Sequence, residues 1–209
     1  MQILDSLQWR YATKKFDANR FLTNEQVNTL KEAFNLTATS YGLQPIRLVV
    51  IKNKELQEKL VSPTWNQRQV VDASHVLVLC IENTIDAAYI ESYFKRVKDI
   101  RDTPDEIIRP FKEFMINSFA DKTPEELSIW AAKQAYIAMG NLLTVCGNER
   151  IDACPMEGFS PEAYDEILDL KKHGLSSVLV LPVGYRAEDD MFANFKKVRK
   201  TIAESVLEL

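Results

Sequence analysis

The sequence predicts a helix-rich α+β fold, and three observations carry that reading. The strongly apolar, β-branched runs are few and lie far apart in the chain, at 46–51, 75–81 and 177–184. A long stretch of helical periodicity separates the second run from the third. Helix-start signals of capping-box form recur at Thr23 and Thr123. A few strands embedded among many helices make an α+β pattern.

Each element has a local reason. Thr23-Asn24-Glu25-Gln26 offers a cap hydroxyl and a glutamine three residues on, and Val27, Leu30, Ala33 and Phe34 then fall on one helical face. Ile46-Arg47-Leu48-Val49-Val50-Ile51 reads as a strand entered through Pro45. His75-Val76-Leu77-Val78-Leu79-Cys80-Ile81 is apolar on both faces, which predicts a central strand. Residues 89–101 and 105–119 read as amphipathic helices rich in aromatics, a helical insertion around 86–120. Thr123-Pro124-Glu125-Glu126 opens a further helix that runs through Trp130, Gln134, Tyr136, Met139 and Leu143 toward Gly147. That helix is apolar nearly all round and carries small residues at Ala131, Ala132, Ala135, Ala138 and Gly140. Such a helix must be buried, either within a core or against another subunit. In the last strand, 177–184, Pro182 cannot donate a ladder hydrogen bond, which predicts an irregularity or a sheet edge there.

Composition bounds the function. The chain has 209 residues, 46% hydrophobic and 27% charged, with a formal net charge of -4. That suits one domain with a sizeable core, here 1–209 with a C-terminal arm. The mild acidity argues against nucleic-acid binding, which favours a strongly basic face. Cys80, Cys146 and Cys154 form no C-x-x-C pair and read as reduced thiols of a cytoplasmic protein. The opening Met1-Gln2-Ile3-Leu4-Asp5 has no secretion-signal character, and no apolar run reaches membrane-spanning length. With His75 and His173 as the two histidines, no metal site of His and Cys is expected.

Two cationic clusters stand at opposite ends of this acidic chain: Arg10-Tyr11-Ala12-Thr13-Lys14 and Lys196-Lys197-Val198-Arg199. Taken alone they read either as solvated surface patches or as two halves of one anion site. A phosphate monoester suits the second reading, because arginine grips its oxygens with a fork of N–H donors.

Several blocks, in order, resemble one family. They are Arg10-Tyr11-Ala12-Thr13-Lys14-Lys15-Phe16-Asp17, Gln44-Pro45, Asn66-Gln67-Arg68, Asp72-Ala73-Ser74-His75, Ala132-Lys133-Gln134 and Gly140-Asn141. Pro155-Met156-Glu157-Gly158-Phe159, Pro182-Val183-Gly184-Tyr185 and Lys197-Val198-Arg199 complete the series. Together they resemble the oxygen-insensitive NAD(P)H nitroreductases, FMN enzymes of the type that includes the enterobacterial nitroreductase and dihydropteridine reductase. The resemblance runs almost end to end. It implies a nitroreductase-like α+β fold, with a central mixed sheet surrounded by helices and a helix-swapped homodimer.

It also implies a site. Arg10, Lys197 and Arg199 would hold the FMN phosphate, with Tyr11 and Ala12 beside it. Lys14 would lie along the ribityl chain and the pyrimidine end, where a cation favours negative charge on the reduced ring. Asn66 would bond the pyrimidine edge, and Gln69 and Gln134 would lie near the flavin. Pro155, Met156, Glu157 and Gly158 would pack on the far ring face, glycine permitting close backbone approach. Thr39, Ser40, Gly42 and Gln44 would come from the other subunit, and the helix through Met139 would form an obligate dimer core. Phe114 and Phe119 would line the substrate channel; an aromatic stripe at helical spacing is equally plain core.

The implied activity is ping-pong hydride transfer from NADH or NADPH, through bound FMN, to a nitroaromatic, a quinone or another electron-poor small molecule. No side chain need act as acid, base or nucleophile. The alternatives are the same fold acting on a pteridine, an enal, a semialdehyde or free flavin, and a non-catalytic FMN-binding module. Several positions depart from the family pattern, among them Ile46-Arg47, which replaces a tryptophan-led pair at the pocket rim. Ala12 stands where a hydroxyl is common, Gln69 where close relatives carry lysine, and Gly42 where asparagine is common. Loss of the lysine charge at Gln69 should lower the flavin potential. Cys154 reads as a buried structural thiol. His75 reads as capping its strand or bonding Asp72, and His173 as a surface residue at a helix end.

Overall fold

The computed structural model describes residues 3–209. Met1 and Gln2, part of the opening segment read for a leader, lie outside the described residues. In chain order the elements are α1 (Ile3–Trp9), α2 (Asn24–Asn35), β1 (Ile46–Ile51), α3 (Lys54–Lys59), α4 (Gln69–Asp72) and β2 (His75–Glu82). Then come α5 (Ala87–Arg101), α6 (Asp105–Ala120), α7 (Pro124–Asn148), β3 (Asp152–Ala153), α8 (Pro161–Ile167), β4 (Leu175–Gly184) and α9 (Ile202–Ser205).

Both capping boxes form. The Gln26 N–H donates to Thr23 Oγ1 at 3.2 Å, and the Thr23 N–H donates to Gln26 Oε1 at 3.0 Å. At the head of α7, the Glu126 N–H meets Thr123 Oγ1 at 3.2 Å and the Thr123 N–H meets Glu126 Oε2 at 2.8 Å. Each box satisfies donors that a helix start leaves without partners. Helices α5 and α6 form a hairpin, turned by Asp102 in the left-handed region (φ 51°) and bridged by Lys98 and Asp105.

The sheet order is β1-β2-β4-β3, and all three ladders are antiparallel. Among the described residues the sheet is mixed only through one parallel bridge, Ala12 to Ala153. Strand β2 is interior, as its two apolar faces require. Leu77, Leu79 and Ile81 point into a core shared with α2, α5, α6 and α7. Val76, Val78 and Cys80 point the other way, toward Leu60, Val70, Tyr164 and Leu170. The period of two along a strand assigns the faces, and each buried leucine or valine there contributes about 1.5–3 kcal/mol.

Pro182 disturbs the ladder without marking an edge. It lies in β4, between β2 and β3, paired with Val76 on one side. On the other side its carbonyl accepts from the Cys154 N–H at 3.1 Å. Asp152 and Ala153 pair with Gly184 and Val183, and Met156 bridges Val180 further along. Pro182 removes the donor that would join these pieces, so β3 is two residues long. A separate bulge lies at Leu79/Cys80, opposite Leu179 and Ser177.

Helix α7 packs its Ala131, Ala135, Ala138 and Leu142 face into the core, each fully buried. Another stripe stays open: Lys133, Tyr136, Ile137 and Gly140 are exposed, with Ile137 at 49%. No helix among the described residues is long and apolar enough to cross a membrane.

Candidate cofactor site

The two cationic clusters meet. Arg10, Tyr11, Ala12 and Lys14 line one cavity of about 460 Å³ together with Leu143, Pro155, Phe192, Phe195, Lys196, Lys197 and Arg199. Lys197 Nζ donates to the Arg10 carbonyl. Five of these lining residues are cations, and no carboxylate lines the cavity among the described residues.

The charges press on one another. Burial pushes the Arg10 pKa down, and the Arg199 guanidinium pushes it further. Lys197 is lowered in the same way, first by burial and then by Arg10 and Arg199. Arg10 Nε is buried and has no hydrogen-bond partner. A buried guanidinium donor without an acceptor, inside a ring of like charge, is a site that an anion completes. The donor set therefore fits a phosphate monoester such as that of FMN.

Beside this cavity the 155–158 turn packs on the turn that follows α3. Trp65 and Asn66 both adopt left-handed backbone, φ 55° and 60°. The Gln67 amide donates to Thr64 O at 3.1 Å and to Gly158 O at 3.0 Å, and the Ser160 N–H donates to Pro63 O at 2.8 Å. Asn66 is exposed on this surface, with Gln69 half-buried at the start of α4. Glu157 is exposed and accepts a 2.8 Å bond from the Tyr136 hydroxyl of α7.

One expectation for this turn is corrected. Met156 does not face outward: its backbone pairs with Val180 in both directions, and its side chain is buried in the core with Phe16 and Val180. Alternation along extended backbone sends Met156 inward while Pro155 faces the cavity. Gly158 also has a close protein neighbour, since a Cβ there would lie 2.8 Å from the Trp65 ring.

Thr39, Ser40 and Gly42 form a second group. Tyr41, Gly42 and Gln44 all have positive φ, at 59°, 71° and 48°. The turn is held by Thr39 Oγ1 accepting from the Gln44 N–H at 3.0 Å and by the Tyr89 hydroxyl donating to Leu43 O and Gln44 O. A Cβ at Gly42 would come within 2.7 Å of the Tyr93 hydroxyl. Gln134 belongs here. It is buried, accepts from the Ser40 N–H at 2.9 Å and donates to Trp130 O at 3.1 Å. Its amide positions the 39–44 turn. Phe119 is corrected too: it is a core residue, edge-on to Trp130 and Tyr41, whereas Phe114 is 57% exposed and stacks on Phe111.

Helix α7 separates the two groups. At about 100° per residue, Gln134 and Leu143 project in opposite directions, and Tyr136 lies beside Leu143. The Thr39–Gly42 turn therefore flanks one side of the open stripe, and the Glu157 and Arg10 cavity flanks the other.

Sequence reasoning gives no site role to Asp190, Tyr136, Trp65 or Gln67. Asp190 had a signal, an acidic run Glu188-Asp189-Asp190 placed directly before the cationic arm. Of the two roles expected for His75, the bond to Asp72 is not made: Asp72 pairs with Arg68 at 3.0 Å, and the His75 ring meets Ser74 Oγ at 2.8 Å. Cys154 is buried, and burial raises its pKa, as a structural thiol requires.

Fold and cavity together define a class: an α+β protein whose chain ends close on a cation-lined cavity suited to a phosphate ester. Comparison with known proteins makes the assignment definite. The model of the nitroreductase family matches residues 7–185. A Staphylococcus saprophyticus protein assigned as an NAD(P)H nitroreductase is 37% identical over 209 residues, covering 95% of this chain and 93% of its own. The chain belongs to the nitroreductase family. The fold agrees with solved structures. A Bacillus subtilis protein described as the nitroreductase ydfN superposes with a TM-score of 0.87 at 19% identity, covering 98% of this chain and 97% of its own. An Exiguobacterium sibiricum protein described as a nitroreductase, crystallised with FMN, gives 0.85 at 18% identity, covering 100% and 98%.

Proposed function

We propose that the protein is an FMN-dependent NAD(P)H oxidoreductase of nitroreductase type, working as a homodimer. The observation that carries this is the convergence of Arg10, Lys197 and Arg199 on one carboxylate-free cavity, with Arg10 Nε buried and unpaired. Bound FMN supplies hydride chemistry between a nicotinamide and an electron-poor acceptor such as a nitroaromatic or a quinone. The chain's own residues bind, orient and enclose.

Arg10, Lys197 and Arg199 grip the phosphate, with Tyr11 and Ala12 forming the wall beside it. Lys14 places a cation toward the ribityl chain and the pyrimidine end, Asn66 bonds the pyrimidine edge, and Gln69 stands nearby. Pro155, Glu157 and Gly158 bound the ring, and the Tyr136–Glu157 hydrogen bond fixes that turn. Phe114 offers an exposed aromatic face to an acceptor. The open stripe of α7 is the dimer contact. A second copy laid across it brings its own Thr39–Gly42 turn toward the Glu157 side, so each site draws on both chains.

The test is direct. The purified protein should be yellow, and anaerobic addition of NADH or NADPH should bleach the flavin absorbance, with a nitroaromatic or quinone restoring it. Light scattering should give twice the chain mass. A protein that binds FMN but is not bleached by either nicotinamide is a binding module, and the enzyme reading falls.

A further inference from the structure

Where the chain ends meet, one carboxylate collects four donors. Asp190 Oδ2 accepts from the Tyr11 hydroxyl at 2.8 Å, the Lys14 N–H at 2.9 Å and the Lys15 N–H at 3.1 Å. Its Oδ1 accepts from the Phe192 N–H at 3.1 Å. The residue is 3% exposed. Three of the donors belong to the segment after Arg10; the fourth opens the 191–194 turn that launches the arm. Burial alone would raise the Asp190 pKa, but the Tyr11 hydroxyl and the three N–H groups outweigh it and hold the carboxylate ionised. The neighbouring Lys15–Asp189 pair is exposed on both sides and holds the ends only weakly.

A latch is needed here because the cluster opposes its own assembly. Arg10, Lys197 and Arg199 repel one another when no anion lies between them. We propose that Asp190 is the positioning residue of the phosphate site, locking the Arg10–Lys15 segment to the C-terminal arm so that Arg10, Lys197 and Arg199 are gathered before the anion arrives. Asp190 is absent from the lining of the cavity, so it acts through the residues it holds. The cost of bringing like charges together is then met in folding and not in binding, which raises affinity for the phosphate alone. This inference rests on the FMN reading above.

The experiment compares FMN with riboflavin, which shares the ring and the ribityl chain but has no phosphate. Asp190→Asn keeps the size, removes the charge and turns one acceptor oxygen into a donor facing donors. Wild-type protein should prefer FMN. In D190N the FMN affinity should fall by about tenfold or more and riboflavin affinity, which feels Asp190 only through Lys14, by a clearly smaller factor, so the preference shrinks. An unchanged ratio overturns the proposal, and so does an equal loss of both flavins, which is the mark of a general folding defect. Tyr11→Phe deletes one donor and should lower the ratio by a smaller factor. If D190N does not fold, that ratio decides, and no change in it overturns the proposal. A wild-type protein that binds neither flavin, or does not distinguish them, sinks the FMN reading itself.

Discussion

An unpaired donor such as Arg10 Nε, buried among like charges, costs the folded chain stability until an anion supplies the acceptor. Arg10→Ala should therefore leave the melting temperature of the FMN-free protein unchanged or raise it. The same change should weaken FMN binding by about a hundredfold, since truncating one partner of a buried charge pair removes several kcal/mol. Thermal shift and fluorescence titration read the two effects separately. His75 makes a second prediction. Burial, and then the charges of Lys52, Lys54 and Lys31, push its pKa below the ordinary histidine value. As pH falls, the unfolded chain takes up this proton first. Stability from this group is thus full above about pH 6.5 and declines as pH drops toward the lower folded value. Urea unfolding across that window should follow this slope, and His75→Gln should flatten it. A third concerns Gln69: replacing it with lysine should raise the flavin midpoint potential, measured by redox titration against wild type. At this scale the sequence could nominate His75 as structural but could not name its partner. Asp72 and Ser74 are both within reach of a histidine in sequence, and side-chain directions in the fold gave Asp72 to Arg68 and Ser74 to His75.

Helices were the most legible elements, because their signals are local. Residues 89–101 and 105–119 read from periodicity alone lie within one or two residues of the observed bounds, Ala87–Arg101 and Asp105–Ala120. The capping box of α7 supports a direct prediction. Thr123→Ala should destabilise the protein by about 1 kcal/mol, with Thr123→Ser close to wild type, both measured by chemical denaturation. Strand environment was less legible. Pro182 signalled a missing donor, yet whether that meant an edge or a gap depended on neighbours from distant parts of the chain. The observed β4 is interior, and the gap faces the short β3. Met156 shows the same limit: its inward direction follows from its pairing with Val180, which no local pattern encodes.

For the whole molecule, the decisive question is what covers the open stripe of α7. Gly140 sits in mid-helix, and a Cβ built there meets nothing within 4 Å in this chain. In an isolated chain Gly140→Leu should stabilise the helix by nearly 1 kcal/mol, because glycine is a poor helix former and leucine a good one. Against a closely packed second copy the same side chain should clash. The expected outcome is a lower apparent mass by light scattering and weaker FMN retention; a more stable variant of unchanged mass would remove α7 from the interface. Amino-acid order by itself determined the helices, the buried character of β2 and the presence of two cationic ends, because periodicity, capping and charge are written in neighbouring residues. Only tertiary structure decided that those ends share one cavity, that Asp190 joins them, that Phe119 and Met156 point inward, and that Thr39–Gly42 and Glu157 lie on opposite flanks of α7. Those facts depend on where distant segments come to rest, and chain packing around a sheet, not local preference, sets those distances.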